Sequence, residues 1–187
     1  MDVVSTQNKK IHPHKFTLWV GIGSIIMMFA ALTSAYIVKG SLPGWTTVKI
    51  PTLFYYSTAV ILISSVTMQA ALKAFKERNM QLYRRLMTVT AILGVVFIVL
   101  QFVGFKQLWA TGIRFTGSGA GQFLYIIFGL HALHVLGGIV ALLVIFFRAY
   151  SAKIRNYNPV PVEVMSTYWH FVDVLWIYLF IFFLIKI

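Results

Sequence analysis

Long apolar stretches alternate along the chain with short polar or glycine-rich connections. A transmembrane helix needs about 20 mostly apolar residues, and five stretches meet this requirement. The pattern therefore predicts an all-α fold, an integral membrane bundle of five transmembrane helices. The predicted spans are residues 16–38, 52–72, 86–109, 122–147 and 166–185.

Four segments between these spans have the composition of connections. Residues 40–44 are rich in turn formers, and residues 73–79 are charged. Residues 116–121 are small and flexible in character, and residues 156–161 contain two prolines that are expected to break the helix before the last span. The sequence shows no internal repeat and no stretch typical of a soluble domain.

The overall composition supports lipid as the surrounding solvent. Hydrophobic residues make up 59% of the chain and charged residues only 11%, whereas a soluble domain carries about a quarter charged residues. The chain has no cysteine. This excludes disulfides, iron–sulfur clusters, thiolate zinc sites and copper centres that are built on cysteine sulfur.

The formal net charge of +12 indicates membrane topology rather than nucleic-acid binding, because the basic residues lie between the apolar stretches. Eleven of the 16 Lys and Arg residues fall on the side that holds the N-terminus. The positive-inside rule then predicts a cytoplasmic N-terminus and a periplasmic C-terminus. Residues 1–15 are expected to form a cytoplasmic tail, and residues 16–187 the transmembrane domain.

Four ionisable residues fall inside the predicted spans, where such groups are costly and usually face protein. They are His131, His134, His170 and Asp173. Each neighbouring pair is three residues apart and therefore shares one helix face. Asp173 can stay charged only beside a partner, and His170 on the same helix is the partner that we expect.

Two interpretations of these residues remain open: a proton-handling or metal site, and a polar cluster that locks the fourth and fifth helices together. We favour the second interpretation. Gly137 and Gly138 support it, because small residues let helices approach closely. In the same way we expect Gln101 to donate an interhelical hydrogen bond, and Glu163 to be a solvated carboxylate at the interface.

The sequence assigns no metal site and no catalytic residue. His131 and His134 lie on one face of one helix, so they cannot together bind a haem from both sides. One of them with His170 could do so, but a second haem would lack ligands. The motif His-Ala-Leu-His lacks the glutamate of a zinc hydrolase. A nucleophile–base pair and a phosphate-binding loop are also missing from the sequence.

Several motifs resemble the haem-copper terminal oxidase subunit III family. YWHFVDVLW at residues 168–176 closely resembles the signature of that family's last helix, and GLHALHVLGG at residues 129–138 resembles the preceding HGLHVxxG signature. Weaker similarities lie at residues 64–67, 93–101 and 27–36. The motifs occur in the order of the family and cover nearly the whole chain.

The chain also departs from the family pattern. Many relatives have seven spans, and the two N-terminal ones form an arm of a lipid-holding, V-shaped cleft. That arm is expected to be absent here or to come from another chain. Two intramembrane glutamates of the family align with Ile25 and with a position near Gly104. The resemblance therefore assigns no role of those carboxylates to this chain.

The resemblance implies a non-catalytic subunit of a proton-pumping cytochrome c oxidase in aerobic respiratory electron transport, in a bacterial plasma membrane. Such a subunit binds phospholipid, supports proton uptake and packs against the catalytic subunit I. Subunit II and other respiratory subunits would be further partners, and haem and copper belong to the catalytic partner. His131, His134, His170 and Asp173 would then serve structure and proton supply near subunit I.

Three alternatives remain at this point. The parent enzyme could be a quinol oxidase, since the electron donor is bound by other subunits. The chain could be an accessory protein of nitric oxide reductase with the same fold. An independent transporter is disfavoured, because the sequence shows no inverted repeat and no matching pair of Gly- or Pro-broken spans.

Overall fold

The computed structural model describes residues 13–41, 51–112, 119–150 and 159–186. These residues form five helices and no strand, and all five helices are long and apolar enough to cross a membrane. The predicted all-α bundle of five spans is therefore confirmed. The helices are α1 (Pro13–Lys39), α2 (Leu53–Lys76), α3 (Met80–Ala110), α4 (Gly119–Tyr150) and α5 (Val160–Lys186).

The helices are longer than the predicted spans. Helix α3 begins six residues before the predicted start at 86, and α5 begins six residues before 166. The apolar pattern marks only the part that crosses hydrocarbon, whereas the backbone hydrogen bonds continue into polar turns. The expectation that Pro161 lies in a break is wrong, because proline is tolerated in the first turn of a helix, and α5 uses it there.

The connection between α2 and α3 is a tight turn of three residues, shorter than the predicted 73–79. Arg78 has a φ of 59°, and the Asn79 side chain accepts a hydrogen bond of 3.1 Å from the Leu82 amide at the start of α3. Residues 119–121 belong to α4 rather than to the predicted connection. Residues 42–44, 116–118 and 156–158 of the other predicted connections lie outside the described residues, as do residues 1–12 of the predicted tail.

The order of packing differs from the order of the helices along the chain. Helices α2, α3, α4 and α5 form a closed ring in which each packs against the next and α5 returns to α2. Helix α1 packs on the outside of this ring, against α4 and α5. Within the described residues α1 does not contact α2, its successor along the chain. Helix α5 is therefore the element that joins α1, α2 and α4.

The core along α5 is built around two buried tryptophans, Trp169 and Trp176. Trp169 lies in a slot made by glycines on two other helices. A Cβ atom on Gly94 of α3 would be 3.0 Å from its ring, and one on Gly138 of α4 would be 3.4 Å away. Real Cβ atoms seldom come as close to a ring as 3.0 Å, so glycine at position 94 is needed to admit the indole, whereas 3.4 Å is an ordinary van der Waals contact.

Candidate functional site

A polar seam joins α2 to α5 across the interior of the bundle. The indole N–H of Trp169 donates to the Ser64 hydroxyl at 3.1 Å, and that of Trp176 donates to the Thr58 hydroxyl at 2.9 Å. Buried polar groups need such partners, since a lost hydrogen bond in the interior is costly. The hydroxyl residues of α2 therefore lie where the polar atoms of α5 require acceptors.

His170 uses both of its ring nitrogens in this seam. Its Nδ1 lies 2.6 Å from the Ser65 hydroxyl, and its Nε2 lies 3.1 Å from the Gln69 amide oxygen. The expected pairing of His170 with Asp173 on the same helix is wrong, because α2 supplies both partners of the imidazole. Spacing along α5 carries no information about residues more than 100 positions away on α2.

Asp173 is the least compensated polar side chain of the seam. It is only 2% exposed, and neither carboxyl oxygen has a hydrogen-bond partner among the described residues. A buried carboxyl group in this position is a functional candidate, because burial of a polar group without a partner disfavours folding.

The two histidines of α4 have different environments. His131 is buried beneath Trp176, with ring centroids 5.2 Å apart, and neither of its nitrogens has a partner among the described residues. His134 is half-buried, and its Nδ1 lies 2.7 Å from the Leu130 carbonyl oxygen of its own helix. Both imidazoles lie edge-on to the Phe29 ring of α1, with ring centroids 6.4 Å and 5.9 Å away, so the shared face that the helix spacing predicts is confirmed.

Two contacts at the junction of α4 and α5 come from residues around these histidines. The Tyr168 hydroxyl donates to the His134 carbonyl oxygen at 3.0 Å. A Cβ on Gly138 would be 3.1 Å from the Tyr168 ring, whereas a Cβ on Gly137 would meet nothing within 4 Å. Within this chain α5 therefore comes close to α4 at Gly138 and not at Gly137. Successive residues differ by about 100° around a helix, so Gly137 lies on the outer face.

An apolar cleft of about 140 Å³ opens between α3 and α4. Most of its lining is aromatic and aliphatic, and Gln101 and His131 are the two polar residues along it. The Gln101 amide N–H donates to the Ser57 hydroxyl of α2 at 3.0 Å. This confirms the prediction that Gln101 donates an interhelical hydrogen bond.

One end of the bundle is joined by an ion triad. Glu163 at the start of α5 accepts from Lys15 of α1 at 2.8 Å and lies 3.0 Å from the Lys76 ammonium of α2. The expectation that Glu163 is a solvated carboxylate is wrong, since it binds two cations and its side chain is 22% exposed. The triad connects the outer helix α1 to α2, although these two helices do not pack against each other within the described residues.

Neutralising Glu163 is expected to weaken this end of the bundle. Glu163→Gln leaves two lysines beside each other without a counter-charge, and we expect a loss on the order of 1 kcal/mol, reduced at high salt. The measurement is thermal unfolding of the detergent-solubilised protein at low and high ionic strength. Glu77→Gln is the matched control, because its pair with Lys73 is 3.9 Å long and exposed; an equal loss in both variants would contradict the role of the triad.

The described residues do not assemble a metal-ligand set. No group of three or more His, Cys, Asp or Glu side chains converges within 13–41, 51–112, 119–150 or 159–186. His170 is held by α2, His131 has no hydrogen-bond partner among the described residues, and His134 Nδ1 bonds to its own helix. The polar residues of the described spans thus connect helices, and Asp173 and His131 remain without hydrogen-bond partners.

Comparison of the sequence with known proteins identifies the family of this chain. The sequence model of cytochrome c oxidase subunit III matches residues 14–186. The chain belongs to the cytochrome c oxidase subunit III family. The probable cytochrome c oxidase subunit 3 of Nocardia farcinica is 31% identical over 187 aligned residues, which cover 94% of this chain and 92% of the relative.

Other members of the subunit III family give the same result. The protein of Mycobacterium tuberculosis with that probable name is 31% identical, and the alignment covers 86% of this chain and 82% of the relative. Cytochrome c oxidase subunit 3 of a Bacillus species is 29% identical, covering 87% and 80%. The resemblance that the two C-terminal motifs indicate is therefore confirmed over nearly the full chain.

The structure gives a physical reason for one departure from the family pattern. The resemblance places a family glutamate near Gly104 of α3. A Cβ on Gly104 would lie 3.1 Å from the ring of Phe54 on α2. The Phe54 side chain is buried. A longer side chain at Gly104 has no space there, so an aromatic ring occupies the volume that a carboxylate side chain would need.

Proposed function

We propose that the chain is a non-catalytic subunit of a proton-pumping haem-copper oxidase and that it stabilises the catalytic subunit. The observation that carries the proposal is the subunit III family match over residues 14–186. The names of the relatives favour cytochrome c as the electron donor of the parent complex. Respiratory oxygen reduction would then take place in a partner chain.

We assign haem and copper to the catalytic partner, subunit I, and expect subunit II as a further partner. A haem needs axial ligands on opposite sides of its ring, and a copper site needs converging imidazoles. Within the described residues no three potential ligands converge on a copper site, and both ring nitrogens of His170 already have partners on α2. Asp173 and the histidines of α4 and α5 are better suited to joining helices and handling protons at the side of a catalytic partner.

The environment that we propose is a bacterial inner membrane with the triad end in the cytoplasm. Lys15, Lys76 and Arg84 mark the same end of the bundle, where Arg84 lies over the Tyr150 ring. Cations concentrate on the cytoplasmic side of membrane proteins, and they attract anionic phospholipid headgroups. Phospholipid is therefore the ligand that we expect around this end.

Purification of the chain from its native membrane in mild detergent tests the proposal. We expect co-purification with a haem-copper catalytic subunit, an a-type haem spectrum, and oxygen consumption driven by reduced cytochrome c. An o-type haem with quinol-driven activity would instead identify a quinol oxidase, and a nitric oxide reductase partner would identify the accessory alternative. Recovery of the chain alone, with solute flux in liposomes, would contradict the subunit assignment.

A further inference from the structure

His134 on α4 is a polar side chain that the bundle satisfies at only one of its two ring nitrogens. Its Nδ1 lies 2.7 Å from the Leu130 carbonyl oxygen. A carbonyl oxygen can only accept, so the Nδ1–H donates this hydrogen bond. The neutral imidazole then has an unprotonated Nε2, which is a hydrogen-bond acceptor. No described residue forms a hydrogen bond with this Nε2.

The free acceptor of His134 faces the outside of the bundle. Both nitrogens of His131, one turn earlier, are buried, whereas His134 is half-buried and its Nε2 is accessible at the surface. The Phe29 ring of α1 borders the imidazole, with ring centroids 5.9 Å apart, and it carries no N–H or O–H. A hydrogen-bond donor from outside the chain can therefore reach Nε2.

Two cations mark the ends of α4 and so give the depth of His134 in the membrane. The Lys39 ammonium lies 5.7 Å from the centroid of the Phe123 ring, and the Arg84 guanidinium lies 5.4 Å from that of Tyr150. Such cations extend to the membrane surface. His134 is about 16 Å along the helix from Phe123 and about 24 Å from Tyr150. It therefore lies deep in a hydrocarbon layer that is about 30 Å thick.

The surface of α4 beside His134 is open and built from small residues. Gly137 and Ala141 follow on the same helix face, one and two turns beyond His134. Both residues are exposed, and nothing lies within 4 Å of a Cβ at Gly137. Small residues let the backbone of a neighbouring transmembrane helix come close. His134, Gly137 and Ala141 form what we call the docking face, which combines a free acceptor with room for a helix.

From the free acceptor at this depth we propose that the docking face binds a transmembrane helix of a partner chain, one side chain of which donates a hydrogen bond to His134 Nε2. A hydroxyl, an amide or an indole N–H has this chemistry. Acyl chains carry no donor, and lipid headgroups lie at the ends of α4, too far away to reach Nε2. An unpaired polar group in hydrocarbon is costly, so a helix with a donor is favoured over lipid.

The inference rests on the proposed function and adds the face by which the chain joins its complex. The donor belongs to the partner, because the described part of this chain provides none for Nε2. Trp176 and Phe29 occupy the sides of the two imidazoles that face the interior. The docking face is therefore completed only when the complex assembles.

Two amide variants of different length test the hydrogen bond to Nε2. His134→Gln places its amide oxygen near the position of Nε2, whereas His134→Asn is one methylene shorter and places its oxygen near Nδ1. We measure the rate at which the chain leaves the purified complex during detergent washes. The Gln variant should leave at about the wild-type rate, and the Asn variant about tenfold faster, as expected for loss of one hydrogen bond between transmembrane helices.

The same washes contain the results that would overturn the inference. A wild-type rate for His134→Asn would mean that Nε2 accepts no bond from a partner. Equally fast release of both variants would mean that packing of the imidazole against Phe29 is what matters, since either amide removes that ring.

Photo-crosslinking identifies the occupant of the docking face. Val144 lies one turn beyond Ala141 and is 47% exposed, so a benzophenone amino acid at position 144 lies at the edge of the face. We expect an adduct with a transmembrane segment of another chain of the complex. Adducts with lipid alone, or with a second copy of this chain, would overturn the inference. Either result in a complex of normal composition, haem spectrum and oxygen consumption leaves the proposed function intact, so the two proposals fail separately.

Discussion

Gly138→Leu is expected to destabilise the bundle strongly, whereas Gly137→Leu leaves its stability nearly unchanged. A Cβ at position 138 would already lie 3.1 Å from Tyr168 and 3.4 Å from Trp169, so the rest of a leucine side chain would force α4 and α5 apart. Overpacking of a core costs about 2 kcal/mol, which lowers the Tm of a chain of this size by roughly 4–8 °C.

The two glycine variants make a matched pair on the same helix. Each gains the same apolar side chain, and nothing lies within 4 Å of a Cβ at Gly137. Thermal unfolding of both variants in the same detergent isolates the effect of the contact with α5. A fall in Tm for Gly137→Leu as large as for Gly138→Leu would mean that position 137 packs against a partner chain in the complex.

Trp176→Ala should have the largest effect of any single truncation that we propose. The indole is buried against Phe54, Phe97 and Phe128, with ring centroids 5.3–6.0 Å away, and it also donates to Thr58. Truncating a buried tryptophan costs about 3–5 kcal/mol, which corresponds to a fall in Tm of roughly 6–20 °C. At higher temperature we expect that the intact complex of the Trp176→Ala variant is no longer recovered from solubilised membranes.

Val174→Ala on the same helix is the control for this truncation. Val174 is 63% exposed on the outer face, so its replacement removes little packing inside the chain. Yield and Tm of the complex are measured for both variants at one expression level. A Trp176→Ala complex with wild-type Tm would refute the central place of this indole in the core.

The number and position of the helices could be predicted from the sequence because a membrane span requires an apolar stretch of a fixed minimum length. Twenty apolar residues in a row mark a span, and the five spans follow directly. The role of Gln101 could also be predicted, since an amide in hydrocarbon must find a hydrogen-bond partner. Both inferences depend on composition along a single helix.

The details of the site depend on helix rotation and pairing, which local sequence does not specify. Gly137 and Gly138 are adjacent in the chain, but only one faces α5. The partners of His170 come from α2, and the partners of Glu163 come from α1 and α2. A pattern of apolar residues around all sides of a helix, as in these spans, gives no signal for the side that meets a neighbour.

The position of α1 outside the ring has a consequence for biosynthesis. Among the described helices α1 packs only against α4 and α5, so after its synthesis it has no packed partner within this bundle until residues 119–186 have followed. At about 5–20 residues per second this interval is on the order of ten seconds. During that time α1 lies in the bilayer without its α4 and α5 contacts, so α1 packs into this bundle later than α2 and α3, although it is synthesised before them.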